Sequence, residues 1–360
     1  MAIRVLIVDD TILFRKILAD ALKAIPGVEV VGTANNGKIA LSRIQSLAPD
    51  LLLLDLQMPE MDGLAVLSEL KKREIALEVI VISSLTREAG DLVVKALAMG
   101  AFEVVTKPSA GTLEENRAFM HNALAPLLHA VALRKEILDV LRGRPAIRPA
   151  AKGISPELIA QSRPRIMGCA RPDLVVLGVS TGGPNALSQM LPGLPGDLRV
   201  PLLIVQHMPA LFTLSLAQSL SGKCEIAVKE AEDGEEVVAG KAYIAPGGRQ
   251  MKLQKTAAEK KVICIQDDPP ENNCRPSVDY LFRSVAHHFP GQAAAVIMTG
   301  MGSDGVLGLK LLKRHGCLTI AQDERSSVVF GMSREAIKAG VVDIVSPLDR
   351  IAQEIVKAVR

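Results

Sequence analysis

Short runs of consecutive apolar residues, each closed by a polar residue suited to chemistry, recur along this chain. Arg4 to Val8 leads into Asp9-Asp10, and Asp50 to Leu54 into Asp55. Glu78 to Ile82 leads into Ser83, and Glu103 to Val105 precedes Lys107-Pro108. Amphipathic stretches such as Ile12 to Ile25 and Leu64 to Arg73 lie between them. Strands that are apolar on both faces and alternate with helices fit a parallel sheet covered on both sides. The carboxyl ends of such strands share one edge, where residues distant in sequence converge.

A second alternating pattern begins at Asp173, with strand candidates at 174–179, 202–206, 293–298 and 317–321. Residues 224–266 read differently. Turns at Asp233-Gly234 and Pro246-Gly247-Gly248 separate short alternating runs, which predicts antiparallel hairpins inserted into an α/β domain. Leu348 to Val359 predicts a closing amphipathic helix, and residues 113–141, rich in Ala and Leu, read as helix. Arg142-Gly143-Arg144-Pro145, Arg148-Pro149 and Arg163-Pro164-Arg165 follow without a sustained period, which predicts a linker over roughly 142–171. At 360 residues the chain is long for one core, so two domains are expected.

Composition removes several classes of function. A net charge of +3, with no helix-turn-helix pattern or basic recognition segment, gives no reason to expect nucleic-acid binding. There is no apolar run near 18 residues and no signal peptide at Met1-Ala2-Ile3-Arg4, so no membrane insertion and a cytoplasmic location are expected. The five cysteines, Cys169, Cys224, Cys264, Cys274 and Cys317, form no C-x-x-C pair and suit reduced thiols. No cysteine or histidine spacing matches a zinc site.

In the first half, Asp9, Asp10, Asp55, Ser83 and Lys107 fall at successive strand ends. Clustered carboxylates repel unless a cation shares them, and hard oxygen ligands suit Mg²⁺. A carboxylate there can attack a phosphoryl donor, with Mg²⁺ and Lys107 balancing the phosphate charge. A single aspartate at such a place is as well read as a solvated cap; five groups together are not. With Asp55-Leu56-Gln57-Met58-Pro59 and Met61-Asp62-Gly63, residues 3 to about 120 closely resemble a response-regulator receiver domain. The resemblance implies a flavodoxin-like doubly wound parallel sheet and Asp55 as phosphoacceptor. It implies Asp10, Asp55 and the Gln57 carbonyl around Mg²⁺, Asp9 in support, and Ser83 and Lys107 as phosphate sensors. Val104 stands where many receivers carry an aromatic switch residue.

In the second half, Leu174 to Val179 leads into Ser180-Thr181-Gly182-Gly183-Pro184. Gly178-x-Ser180-x-Gly182 matches the G-x-S-x-G turn that exposes a serine beside free backbone N–H groups. Alone the pattern is weak, since a glycine turn at a strand–helix junction also serves as a phosphate loop. A dinucleotide G-x-G-x-x-G and a Walker lysine are absent. Among six histidines, His207 ends Leu202 to Gln206 and so reaches the same edge as Ser180. Ala295 to Met298 leads through Thr299-Gly300-Met301-Gly302-Ser303 to Asp304, the candidate for orienting His207. The order Ser, His, Asp differs from that of ordinary α/β-hydrolases, though the chemistry is shared.

Ser180-Thr181-Gly182-Gly183, Gln206-His207-Met208-Pro209, Arg275-Pro276-Ser277-Val278-Asp279 and Thr299 to Gly305 together resemble the chemotaxis methylesterase (CheB) family, from about residue 173 to the C-terminus. The implied domains are a receiver over 1–120, a helical extension and linker over 121–171, and a second, Rossmann-like α/β catalytic domain over 172–360. The implied activity is hydrolysis of glutamate γ-methyl esters on methyl-accepting chemoreceptors, with deamidation of receptor glutamines in many members. A chemotaxis histidine kinase would be the phosphodonor, and the esterase would need no cofactor. Ser180, His207 and Asp304 would be catalytic. Backbone N–H groups near Thr181 and Met301 would hold the oxyanion, and Arg275 would help hold an acidic receptor helix. Asn273-Cys274 stands where members often carry basic residues, and Ser333 replaces a frequent proline. The rival readings are a non-catalytic module whose glycine loops hold a partner or nucleotide, and a phosphorylated transcription regulator, against which the missing helix-turn-helix pattern counts.

Overall fold

A computed structural model describes residues 2–141 and 171–360, in two compact units. The expected linker, 142–171, falls outside the described residues except for its last position.

The first unit runs β1 (Ile3–Val8), α1 (Ile12–Lys23), β2 (Val28–Ala34), α2 (Gly37–Leu47), β3 (Leu51–Asp55), α3 (Gly63–Lys72), β4 (Glu78–Ser83), α4 (Arg87–Ala98), β5 (Glu103–Thr106) and α5 (Leu113–Leu141). Its strands form one parallel sheet ordered β2-β1-β3-β4-β5, the flavodoxin-like order. Leu51 to Leu54 are fully buried, as a strand covered on both faces requires. Each such leucine contributes about 1.5–3 kcal/mol on leaving water. Side-chain caps start the helices. Asn36 accepts from Ile39 N–H at 2.9 Å and Asp62 from Ala65 N–H at 2.7 Å, each cap contributing about 1 kcal/mol. β2 carries no continuous apolar run to mark it in the sequence, because it is an edge strand only half-buried along most of its length.

The second unit runs β6 (Leu174–Val179), α6 (Gly183–Met190), β7 (Leu202–Gln206), α7 (Phe212–Ser221), β8 (Ala227–Glu230), β9 (Lys241–Ile244), β10 (Gln250–Lys255) and β11 (Lys261–Gln266). It continues with α8 (Val278–His288), β12 (Ala293–Ile297), α9 (Val306–Arg314), β13 (Leu318–Gln322), α10 (Met332–Lys338), β14 (Ile344–Ser346) and α11 (Leu348–Val359). Seven parallel strands are ordered β14-β13-β12-β6-β7-β9-β8. The chain builds outward from β6 on one side, then returns to β12 on the other. The order therefore reverses between β6 and β12, and that is where a parallel sheet opens a crevice beyond its carboxyl ends.

Residues 224–266 depart from the expected set of hairpins. Among the strands only β10 and β11 pair antiparallel, and within this stretch a single antiparallel bridge joins Glu236 to Val262; β8 and β9 join the main sheet in parallel. Residues 231–240 are long enough to cross over, and they lean on β11 on the way. Gly234 N–H donates to Ile263 C=O at 2.9 Å and Ile265 N–H to Asp233 Oδ1 at 2.8 Å. The hairpin packs on α8, where Leu253 N–H donates to Ser284 Oγ at 3.0 Å. Leu253, Ile263, Tyr243, Phe282 and Ile297 share one buried core with the sheet.

Candidate active site

Ser180 directly follows β6 at the switch point. Its N–H donates to Thr299 C=O beyond β12 at 3.0 Å, and His207 N–H donates to Val179 C=O at 3.1 Å. Two backbone bonds thus hold the three strand ends in one frame. The chain turns into α6 at Gly182, whose φ of 75° strongly favours glycine. A side chain at Gly183 would overlap Gln206 Oε1. Ser180 is not in the left-handed region, so this turn differs from the strained serine elbow that its G-x-S-x-G pattern matches. Gln206, fully buried, donates through Nε2 to the carbonyls of both Ser180 and His207 at 3.0 Å.

His207 Nε2 lies 2.8 Å from Asp304 Oδ2. Asp304 is buried at 3% exposure, yet its carboxylate is fully supplied with donors. Oδ2 also accepts from Val278 N–H at 2.7 Å; Oδ1 accepts from Ser277 Oγ and Asn272 Nδ2, both at 2.8 Å, and from Asp279 N–H at 3.1 Å. The backbone donors are the free N–H groups at the start of α8, where the helix dipole also favours an anion. Burial raises the Asp304 pKa, but the bonds from His207, Asn272 and Val278 outweigh it and hold the pKa at about 2. Burial lowers the His207 pKa, and the contacts with Asp304 and Cys274 more than offset this, raising it to about 9.

With Asp304 on Nε2, the ring nitrogen left for a serine proton is Nδ1. No hydrogen bond joins Ser180 Oγ to His207; Nδ1 instead faces Cys274 Sγ at 3.6 Å. Nucleophile–base contacts often tighten only when substrate enters. Neither Thr181 N–H nor Met301 N–H makes a hydrogen bond among the described residues, so both donors are available beside Ser180. Gly300, just before Met301, comes so close that a Cβ there would lie 2.7 Å from Ser180 Cβ. Arg275 is exposed, and its side chain is unpaired among the described residues. Sequence reasoning missed Gln206, Asn272 and Ser277 as supports. Ser277 carried a signal, since a serine before an acidic helical turn is a capping pattern; Asn272, held at φ 54°, carried none.

The first unit has its own switch-point crevice, between β1 and β3. Lys107 Nζ lies 2.7 Å from Asp9 Oδ2 and 2.6 Å from Asp55 Oδ2. Oxygens of Asp9, Asp10 and Asp55 lie within 4.8 Å of one another. Asp9 and Asp55 are buried, and Asp10 is open to solvent. Burial raises the Asp55 pKa, and repulsion from Asp9 adds to this against the pull of Lys107. Gln57 N–H donates to Asp55 Oδ1 at 3.2 Å. Ser83 ends β4 beside this crevice, its carbonyl accepting from Lys107 N–H at 2.8 Å. One lysine for three carboxylates leaves the pocket short of positive charge, and an all-oxygen donor set fits Mg²⁺.

Residues 5–116 match the response regulator receiver domain family, and residues 175–355 the CheB methylesterase family. The chain belongs to the CheB methylesterase family. It is 49% identical to a protein-glutamate methylesterase/protein-glutamine glutaminase of Desulfotalea psychrophila, over 99% of both chains. It is 43% identical to one from Halalkalibacterium halodurans, over 99% of this chain and 98% of that one. The crystal structure of the Thermotoga maritima CheB methylesterase catalytic domain is 40% identical, with a TM-score of 0.51, and covers 52% of this chain and 99% of that one.

Two departures from the pattern expected of CheB methylesterases acquire a place. Ser333 is buried at the start of α10, and its hydroxyl donates to Ile297 C=O at 3.3 Å, tying that helix to β12. Cys274 borders His207. No helix among the described residues is long and apolar enough to cross a membrane.

Proposed function

We propose that this chain is a cytoplasmic, phosphorylation-activated protein-glutamate methylesterase that hydrolyses γ-methyl esters on chemoreceptors. The observation that carries the reading is the His207–Asp304 pair at the strand-order reversal where Ser180 lies. Ser180 attacks the ester carbonyl, and His207 accepts its proton at Nδ1. Asp304 holds the Nε2–H tautomer and offsets the charge that forms on the ring. Thr181 and Met301 N–H groups hold the oxyanion, which in comparable sites contributes about 3–4 kcal/mol per donor. His207 returns the proton to the departing methoxide, methanol leaves, and water attacking the acyl-serine releases glutamate. A glutamine carboxamide in the same place would lose ammonia. Arg275, exposed and unpaired among the described residues, suits an acidic segment of the receptor.

In the first unit, Asp55 is the nucleophile toward a phosphoryl donor, for which a chemotaxis histidine kinase is the partner. Asp10, Asp55 and the Gln57 carbonyl would hold Mg²⁺, with Asp9 behind them. The ion supplies positive charge against the transferred phosphoryl group. Lys107 and Ser83 then bind the phosphate oxygens, which moves Lys107 off Asp9 and Asp55.

The deciding experiment is methanol release from methylated receptor membranes, with and without a small-molecule phosphodonor. Release that rises with the donor and disappears in Ser180→Ala agrees with the reading. Release that survives Ser180→Ala puts the nucleophile elsewhere, and no release at all favours a non-catalytic module.

A further inference from the structure

Cys274 is a nucleophilic, metal-ligating group that the esterase chemistry leaves unused, and it lies against the nitrogen that chemistry needs. Its Sγ is 3.6 Å from His207 Nδ1. In tetrahedral zinc sites Zn–S is about 2.3 Å and Zn–N about 2.0–2.1 Å, which places sulfur and nitrogen about 3.5 Å apart. The pair is therefore already spaced as two ligands of one ion. His207 also has the support that zinc-binding histidines have. Its far nitrogen, Nε2, donates to a carboxylate at 2.8 Å, which fixes the ring and the tautomer. Asp304, although within reach of both groups, is a poor ligand itself. It lies on the opposite edge of the imidazole, and its oxygens already accept five hydrogen bonds. Cys274 and His207 are each mostly but not wholly buried, the His207 side chain at 14% exposure, which leaves an opening through which water can fill the rest of the shell.

We propose that Cys274 Sγ and His207 Nδ1 form an inhibitory site for a thiophilic divalent cation, Zn²⁺ in the first place. Zn²⁺ forms bonds to sulfur and nitrogen while the thiol proton passes to solvent. Nδ1 then has no lone pair for the Ser180 proton, so hydrolysis stops until the ion leaves. Mg²⁺ does not substitute, because a hard ion gains little from thiolate and imidazole. The inhibitory half of this inference rests on the serine-esterase reading; the binding half does not.

The test uses the full chain, reduced with a phosphine and held in excess Mg²⁺ to occupy the receiver carboxylates. Zn²⁺ affinity is measured by competition with a chromophoric chelator, and Co²⁺ serves as a spectroscopic probe. The wild type binds one Zn²⁺ and shows a thiolate-to-Co²⁺ charge-transfer band. Cys274→Ser loses that band and binds Zn²⁺ at least about tenfold more weakly, the lower end of what even outer-shell changes cost a metal site. Cys224→Ser keeps both properties. Unchanged affinity or a surviving band in Cys274→Ser overturns the site, as does a wild type that binds no Zn²⁺. In methanol release, Zn²⁺ inhibits the wild type reversibly to chelator and inhibits Cys274→Ser at least about tenfold less sensitively. Full wild-type activity at saturating Zn²⁺ overturns the inhibitory role. Ser180→Ala separates the two readings: it binds Zn²⁺ as the wild type does, and if it still releases methanol, the esterase assignment fails while the metal site stands on its binding data.

Discussion

Asp55 and Asp304 sit in equivalent places, each by a strand end at the reversal point of a parallel sheet, and each is 3% exposed. Their carboxyl groups are nonetheless pushed in opposite directions. Burial lifts Asp55, the pull of Lys107 opposes this without overcoming it, and Asp9 beside it adds a smaller repulsion. Burial acts on Asp304 as well, but His207, Asn272 and the α8 N–H groups overcome it and hold its pKa at about 2. Burial sets the cost of a charge; the donors decide whether it is met. Asp55 is left short of donors, in a pocket where an added cation and a phosphoryl group have something to bind. Asp304 has all the partners it can use, which suits a group that must stay ionised and hold a histidine still.

The contrast can be broken at several points. Ser180→Ala should have the largest effect, cutting methanol release by a factor on the order of 10⁶, with both crevices otherwise intact. Asp304→Asn should follow, lowering kcat by about 10⁴, because an amide can present an N–H to Nε2 and favour the wrong tautomer. Melting the same variant by calorimetry tells this apart from unfolding. Asp55→Asn should leave the unstimulated rate in place and abolish the response to phosphodonor, which is expected to be about 5–150-fold in the parent. Asn272→Ala should be the mildest. It removes one donor from Asp304, costs about 1–3 kcal/mol of unfolding free energy in urea, and moves Asp304 a step toward the condition of Asp55.

The pH dependence sharpens the same comparison. His207 is raised from 6.5 to about 9, so free Nδ1 accumulates only as pH rises. The kcat/KM for methanol release should therefore climb through neutral pH and level off above about 9. The raised pKa also means that His207 contributes to stability fully below pH 6.5 and loses that contribution as pH passes about 9. Asp304 does the opposite at the acid end: its contribution holds above pH 3.8 and is lost as pH falls through about 2. A bell-shaped profile centred near pH 6, or a rising limb at the unperturbed histidine value of about 6.5, would show that Asp304 does not hold His207 in this way.

The sequence by itself determined the strand–helix alternation of both units and which residues close the strands. Asp9, Asp55, Ser83, Ser180 and His207 were legible because a parallel sheet gathers its carboxyl ends on one edge, so the end of an apolar run carries positional information. Edge strands were legible only in part. β2 is half-buried, and β8 and β9 are four residues each, too short to show whether they pair with a neighbour or cross over. The tertiary structure alone decided what stands behind those residues. Asn272, Ser277 and the α8 N–H groups reach Asp304 from a separate loop, and Gln206 ties two turns through its side chain. Cys274 lies 67 positions from His207, far outside any local ligand spacing, yet its sulfur meets the imidazole. Periodicity records which face of an element is buried; it does not record where an irregular loop places one side chain, because that is settled by packing and by which buried polar groups still need a partner.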